Sequence, residues 1–504
     1  MKDASRHPTL LLLLMLVSVT AGAKSAPEVT HGVMAAEVTD GRAIIWSRTD
    51  RPATMHVALT PDHGTAVRSI EVFAADDYTG HIELDGLRPE TRYKYEVWFS
   101  VPGPSQSDQR GKSTRGSFAT APAGVRAATL KLVWTGDFAG QNVCRDAREG
   151  FPIARAINAE HADLFIGLGD MIYADQACEP VGRYGNAQVP GDFGPSVELP
   201  DFWAHWRYHR EDEHFRSLLA TTPYFGIWDD HEVINDFGPL ADTRDEPPYT
   251  PREPLLPTGL EAFLDYTPMP SQQTTPQRLY RSMRWGRHAE LFFLDTRQYR
   301  DANLAADRAD RPKTMLGREQ LTWLTAKLAA SDATWKIIVS SVPLSIPTGS
   351  PENLGRDGWA NHDANREPTI DGLPQSGTGF EQELRQIFAT LQTTASHAVF
   401  ITTDVHFAEV FSYAPAAGDS DFRIHEVVVG PANSGIFPNR AFDTTFGTRS
   451  LFYFAPDSAD AVTSWDEAKR WFNYGVLEIQ ASGVLFARVK DTSGTTKYEL
   501  KLSP

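Results

Sequence analysis

Cysteine is nearly missing from this 504-residue chain, where Cys144 and Cys178 are the only two. That excludes a disulfide-framed miniprotein and any zinc site built on four thiolates. Positive charge is also short: 48 Lys and Arg stand against 65 Asp and Glu, a net charge of −17. A surface of that sign is a poor match for a phosphate backbone, so no nucleic-acid-binding domain is expected. No G-x-S-x-G elbow precedes a helical stretch, which removes a serine hydrolase of that architecture. No G-x-x-x-x-G-K-[ST] loop is present, which removes the P-loop nucleotide binders. There is no internal repeat, and beyond the N-terminus no apolar run approaches the roughly 20 residues of a membrane span.

What is present is an ordinary globular composition, 41% hydrophobic and 22% charged. Its length predicts more than one domain, with ample apolar residues for a large core. Residues 1–23 read as a cleavable export signal. Lys2 and Arg6 make a positive start, Leu10–Val19 an apolar middle, and Ala21-Gly22-Ala23 a small-residue cleavage site. The apolar stretch is short for a membrane anchor, no Arg-Arg pair precedes it, and no Cys follows it. A soluble protein of the periplasm or the cell exterior is therefore expected, with no membrane span after cleavage. Losing Lys2, Arg6 and Asp3 takes the net charge from −17 to −18. In an oxidising compartment a Cys144–Cys178 disulfide is open to the chain, although spacing alone does not settle it.

Residues 27–120 read as a small all-β domain. GRAIIWSR, ATMHVALT, GHIELDGL and TRYKYEVWF alternate apolar and polar residues between Gly, Pro and Asp breaks. LDGLRPETRYKYEV resembles the later strands of a fibronectin type III-like sandwich, where an aromatic corner closes the two sheets. Residues 117–128, rich in Ala, Pro and Gly, read as a linker. From Leu130 onward LKLVWTG, DLFIGLG, YFGIWD, AELFFLD, WKIIVSS, HAVFITT and IHEVVVG alternate with helical patterns. That alternation predicts an α/β architecture with a largely parallel interior over 129–504. The tail from Tyr474 carries three strand-like runs expected to complete a second sheet. Residues 179–200 and 238–257 are Pro/Gly-rich and read as long surface loops, candidates for lids.

The chemistry lies where the strands end. The apolar run Pro223–Trp228 stops at Asp229, Asp230, His231 and Glu232. LKLVWTGD ends on Asp137, DLFIGLGD on Asp170 with Tyr173 following, and HAVFITTDVH on Asp404 and His406. Each alone has a bland reading: a helix cap for Asp137 or Asp170, a packing aromatic for Tyr173, a core imidazole for His406. Together they repeat at one end of successive strands, which is where α/β sheets bind ligands. Buried polar groups in such numbers cost desolvation unless metal ions satisfy them. We read the four strand ends as one metal site.

GLGDMIYAD, WDDHEVIND, LDTRQYR followed by GREQLTWL, and TTDVHFAEVF, in that order, resemble the PhoD-type alkaline phosphatases. These belong to the wider calcineurin-like and purple acid phosphatase group of metallophosphoesterases. The resemblance implies an α/β fold, a four-layer αββα metallophosphoesterase sandwich preceded by the all-β domain. It implies a phosphoric ester hydrolase acting on small phosphate mono- or diesters by in-line attack of hydroxide held between two metals. Asp170 would bridge the two ions, with Asp137, Tyr173 and His406 completing the first site and Asp230 and Asp404 serving the second. The implied pair is Fe(3+) with Ca(2+), and Zn(2+) or Mn(2+) suit the same donors. His231 is expected to protonate the leaving oxygen, Asn235 to bind phosphate, and Arg297 to act as a phosphate clamp. For Asn235 a turn role, and for Arg297 an ion pair with Asp295, are competing readings. Arg366 is a weaker candidate of the same kind, and Asp229 and Glu232 are expected to orient the ligands.

Two positions depart from the pattern. Asp137 stands where many relatives have Cys, and Ser341 stands where the wider group commonly has a His ligand. Both push the donor set towards oxygen. Monoester, diester and phospholipase-type hydrolysis are not separated by these motifs, and oligomeric state stays open. A degenerate binding protein is the reading from another class, against which stands the survival of every site residue.

Overall fold

The computed structural model describes residues 25–504 except 62–66, 103–109, 241–247, 250–254, 272–276, 350–354, 362–368, 371–372, 375–376, 395–396 and 416–421. The 1–23 leader, Arg366 and much of the 238–257 stretch thus lie outside the described residues. Among the described residues no helix is long and apolar enough to cross a membrane.

All seven strands expected after Leu130 form, at Leu130–Thr135, Leu164–Leu168, Tyr224–Ile227, Ala289–Phe293, Trp335–Val339, His397–Thr402 and Ile424–Val428. The first three pair in parallel in one sheet and the last four in parallel in another. Side chains alternate across each strand, so each sheet is buried on both faces. Leu132, Trp134, Ile166, Leu168, Phe225 and Ile227 meet Leu291, Phe293, Ile337, Val339 and Ile401 between the sheets. Phe225 and Phe293 stack there at 5.4 Å. Their neighbours along each strand face outwards onto helices. Val133, Phe165 and Tyr224 pack under Pro152–Ala159, Leu199–Arg210 and Glu213–Thr221, while Phe292, Ile338 and Phe400 pack under Gly317–Ala330 and Glu381–Thr393. The result is four layers, α, β, β and α.

Three features differ from the sequence reading. The helical pattern over 201–220 forms two helices, because Asp212 is extended (ψ 129) and caps the second by accepting Phe215 N–H. The three C-terminal strands do not complete the second sheet. Asn473–Ile479 runs antiparallel beside Leu130–Thr135, and Leu485–Asp491 and Thr496–Leu502 extend the same first sheet outward. Gly475 makes this possible, since a Cβ there would sit 2.2 Å from the Trp134 ring opposite it. A further helix, Leu255–Tyr266, begins at the end of the stretch read as a loop.

The N-terminal β unit is joined to this sheet by backbone. Val33–Ala36, Arg42–Arg48 and Thr79–Asp85 continue it beyond Tyr224–Ile227, through the parallel pair Ala36–Tyr224. Their other face packs on a four-stranded sheet: Val33, Ile45 and Ile82 meet Met55, Val57, Tyr95 and Phe118. Tyr93 provides the expected aromatic corner, its hydroxyl accepting Arg88 N–H at 3.0 Å. A buried hub ties this unit to the helices. Asp77 accepts Arg48 Nε at 3.0 Å, Arg207 at 2.8 Å and the Tyr266 hydroxyl.

Burial raises the Asp77 pKa, but the hydrogen bonds and charges of Arg48, Tyr266 and Arg207 outweigh it and hold the group below its ordinary value. A depressed folded pKa gives stability that is present above the unfolded value, about 3.9, and lost as pH falls through the folded one. Removing one partner from a buried pair costs about 3–5 kcal/mol. Asp77→Asn is therefore expected to lower the melting temperature at neutral pH, by a gap that narrows as pH drops below about 4. A gap independent of pH would show that the Asp77 charge contributes nothing.

Candidate metal centre

Three of the four strand ends that form the site carry residues whose backbone is left-handed. Asp137 has φ 61°, Asp170 φ 50°, Asp404 φ 83° and His406 φ 62°. Such positions cost about 1–3 kcal/mol each for non-glycine residues and cluster at functional sites. They turn the carboxylates and imidazole back over the strand ends. Close approach is what the flanking glycines permit. At Gly169 (φ 100°) a Cβ would lie 2.6 Å from Asp229 Cβ, and at Gly430 (φ 122°) one would lie 2.1 Å from Asp137 Oδ2. The Cys144–Cys178 disulfide, with Cα atoms 5.8 Å apart, ties the loop after Asp137 to the loop after Asp170. Closing a 34-residue separation stabilises the fold by roughly 4 kcal/mol in the chain-entropy account.

The six residues read from sequence as ligands come together. Tyr173 Oη lies 3.1 Å from His406 Nε2. His406 Nδ1 donates to the Gly435 carbonyl at 2.7 Å, so Nε2 is left as the acceptor nitrogen. Asp137 Oδ2 accepts the Thr403 hydroxyl at 2.8 Å. Ligand atoms of Asp170, Asp230 and His231 lie within 4.8 Å of one another, and so do those of Asp229, Asp230 and Asp404. The charges of Asp170, Asp137 and Asp230 all bear on Tyr173.

Around them is a shell that the motifs do not reveal. Glu232 accepts three backbone N–H groups, from Asp170 at 3.1 Å, Met171 at 2.8 Å and Asp229 at 2.8 Å, and so pins two strand ends to each other. Asp175 holds His231 Nδ1 at 2.8 Å. Asp236 N–H donates to Asp230 Oδ2 at 2.5 Å. Ser341, where a histidine was the expected alternative, donates to Asp229 Oδ1 at 2.9 Å. Asp229 is thus brought into the carboxylate cluster itself. Asp175 was within reach of sequence reading, two residues beyond Tyr173. Glu232 was singled out only as a group that orients others.

Arg297 is corrected. Expected at the cleft as a phosphate clamp, it is 0% exposed. Its Nε meets Asp229 Oδ1 at 2.5 Å, both Nη atoms meet Asp357 at 2.8 Å, and Asp230 lies 3.6 Å away. Asp295, its expected partner, instead accepts the Trp228 indole and the backbone N–H of Arg297. The guanidinium is spent on carboxylates and does not line the cleft. Asn235 does line it, with its backbone N–H on Asp175.

Whether this donor set suits cations is tested by its own imbalance. Asp137 Oδ1, Asp229 Oδ2 and Asp404 Oδ2 are buried without a hydrogen-bond partner. Burial, helped by the charges of Asp229 and Asp230, pushes Asp137 up to about 8 against the Thr403 hydrogen bond. Burial and the neighbouring carboxylates drive Asp170 and Asp404 well above the usual range. Asp230 goes the other way: against burial, Arg297 and His231 hold it at about 2. Burial lowers His406 to about 4, keeping the imidazole neutral and free to ligate. Orphaned oxygens, crowded carboxylates and a neutral imidazole fit hard cations.

The cluster floors a cleft of about 500 Å³ lined by Asp170, Asp230, His231, Asn235, Asp404 and His406, with Gln141, Asp236 and Asn439. Ile346, Pro347, Val405, Phe407, Phe437 and Pro438 supply apolar wall.

Comparison with known proteins agrees with this layout. The family profile described as PhoD-like phosphatase matches residues 132–483, and that of the PhoD-like phosphatase N-terminal domain matches 17–122. Alkaline phosphatase D of Bacillus subtilis (strain 168) is 26% identical over 309 residues, 58% of this chain and 50% of that protein. The chain thus matches about half the length of that curated relative. A solved structure of PhoD superposes with a TM-score of 0.70 at 18% identity, covering 95% of this chain and 92% of its own. A purple acid phosphatase from yellow lupin (Lupinus luteus) seeds gives 0.61 at 14%, covering 95% and 74%. Both share the fold.

If the buried carboxylates are cation ligands, loading a hard cation to about a hundredfold its Kd stabilises the protein by about 2.7 kcal/mol. Thermal unfolding is expected to show a chelator-reversible rise in melting temperature, absent in Asp170→Asn and Asp404→Asn. A cation-independent melting temperature in the parent protein would overturn the ligand assignment.

Proposed function

This chain belongs to the PhoD-like phosphatase family, and from that premise we propose that it is an exported, metal-dependent phosphoesterase that hydrolyses organic phosphate mono- or diesters for phosphate scavenging. The observation that carries the reading is the convergence of Asp170, Asp230, Asp404 and His406 on the lining of one open cleft, with Asp137 and Tyr173 buried beside them. Iron with calcium is the pair we favour, because a phenolate and carboxylates suit a hard trivalent ion and the Asp229–Asp230–Asp404 oxygens suit calcium. Zinc or manganese would be distinguished by metal analysis. Two ions held there would supply an activated water and would offset the charge of the phosphoryl oxygens.

The chain's own residues do the rest. Asp170 would serve both ions, as the family pattern implies, and Asp230 is the carboxylate common to the two donor groups. Asp175 fixes the His231 tautomer through Nδ1 and, with Asp230, raises the imidazole to about 9 against the effect of burial. His231 lines the cleft beside Asp230, and in its protonated form it would give a proton to the leaving oxygen. Asn235 and Gln141 present neutral amides to the same cleft. Export is supported by the leader composition and by a disulfide formed from the only two cysteines.

Asp170→Asn, Asp230→Ala and His406→Ala are expected to abolish chelator-sensitive hydrolysis of matched aryl phosphate monoesters and diesters. His231→Ala should lower kcat by about 10²–10⁴-fold, more for a poor alkoxide leaving group than for nitrophenolate. An equal loss on both leaving groups would remove His231 from the proton-transfer role. No turnover of either ester by the metal-loaded parent protein would favour a binding function instead.

A further inference from the structure

The phosphoester chemistry uses only the acidic floor of the cleft. Its volume, about 500 Å³, falls in the range of sites that enclose a ligand with a sizeable organic part. Beyond the floor the lining is mixed, with Gln141, Asn235, Thr348 and Asn439 beside an apolar wall of Ile346, Pro347, Val405, Phe407, Phe437 and Pro438, and among the described residues it contains no Lys or Arg. Phe437 stands out. It is 37% exposed, although a ring of that size gains most from burial. Its centroid lies 4.9 Å from that of His406, at a tilt of 56°, so the exposed ring is beside a proposed metal ligand. The Arg183 guanidinium lies over it at 5.4 Å. The backbone that carries it is held in place: Gly435 N–H donates to Gln141 Oε1 at 3.0 Å, and Ile436 N–H donates to the Tyr184 hydroxyl at 3.2 Å. Rigid support beneath a solvent-facing aromatic is what a recognition surface requires. A lone exposed Phe elsewhere on the surface would call for no explanation.

We infer that Phe437, with the neighbouring Pro438 and the Ile346–Pro347 wall, forms a subsite for an aromatic ring on the substrate's ester group. The inference rests on the phosphoesterase reading and adds the substrate class: aryl or other aromatic phosphoesters over small hydrophilic ones. The ring packs against Phe437 in an offset or edge-on arrangement while the phosphoryl group lies over the acidic floor. Arg183 covers the outer side of Phe437 and adds a cation that an electron-rich ring can meet.

The test compares kcat/KM for phenyl, cyclohexyl and glyceryl phosphates in the metal-loaded parent, Phe437→Leu and Phe437→Tyr. The parent should prefer phenyl over cyclohexyl phosphate, by about ten-fold after the intrinsic leaving-group difference is taken from solution hydrolysis. Phe437→Leu should erase that preference and Phe437→Tyr should keep it. Binding of phenylphosphonate and methylphosphonate, which are not hydrolysed, gives a second readout by calorimetry. Phenylphosphonate should bind several-fold tighter to the parent and Phe437→Tyr, and no tighter to Phe437→Leu. A preference unchanged in Phe437→Leu would overturn the subsite. So would an equal loss on all three esters with loss of bound metal, since Phe437 would then only position His406. Failure of every ester with the parent protein would instead overturn the phosphoesterase reading beneath it.

Discussion

Crowding of carboxylates out of water is the constraint on which this structure depends. Asp137, Asp170, Asp229, Asp230 and Glu232 are each at most 2% exposed, and they repel one another across the ends of parallel strands. One guanidinium, Arg297, faces Asp229 and Asp230 from below, and its charge is shared with Asp357. Glu232 spends its charge on three backbone N–H groups. The remaining oxygens, on Asp137, Asp229 and Asp404, find no protein partner. A charge imbalance of this kind is relieved by bound cations or by protonation of the carboxylates, and the neutral His406 and orphaned oxygens suit the first.

The strain has to be borne by something larger. Four site residues sit in left-handed backbone, at about 1–3 kcal/mol each, which is comparable to the whole net stability of a typical domain. Two double-sided sheets supply the opposing term, with the nine-stranded one extending from the C-terminal strands to the N-terminal β unit. The N-terminal strands therefore serve two cores: Trp46 packs with the helices of the larger unit, whereas Ile45 packs within the β sandwich. The Asp77 hub and the Glu37–Arg281 pair cross the same seam. The β unit thus acts as a continuation of the scaffold as much as a module in front of it.

How much of this could be read from the sequence follows from which signals are local. Apolar runs that stop at Gly-Asp or Asp-Asp mark a strand and its functional end together, so the seven strands and six proposed ligands were legible. Arg297 shows the limit. It follows an apolar strand just as Asp137 and Asp170 do, yet nothing in FLDTRQYR says whether its side chain rises into the cleft or turns beneath it. Asp357, which captures it, lies 60 residues away in a stretch without periodicity. The C-terminal strands were visible as strands, but which sheet they join depended on Gly475 meeting Trp134, a pairing across more than 300 residues. The break at Asp212 was concealed by uninterrupted helical patterning on both sides.

Arg297's absence from the cleft changes how substrate charge must be met. With no Lys or Arg in the lining among the described residues, a phosphoester in the proposed reading would meet Asn235, Gln141, His231 and cations on the floor. Ser341 fits the same logic. By donating to Asp229 it leaves the second donor group built of oxygen, which favours ions that bind phosphoryl oxygen directly. The protein thus keeps its own fixed cation beneath the carboxylates, where it lets them be buried together. In the proposed reading, ions held on the floor would face the substrate instead, which would tie turnover to metal supply more tightly than a cleft lined by arginine would.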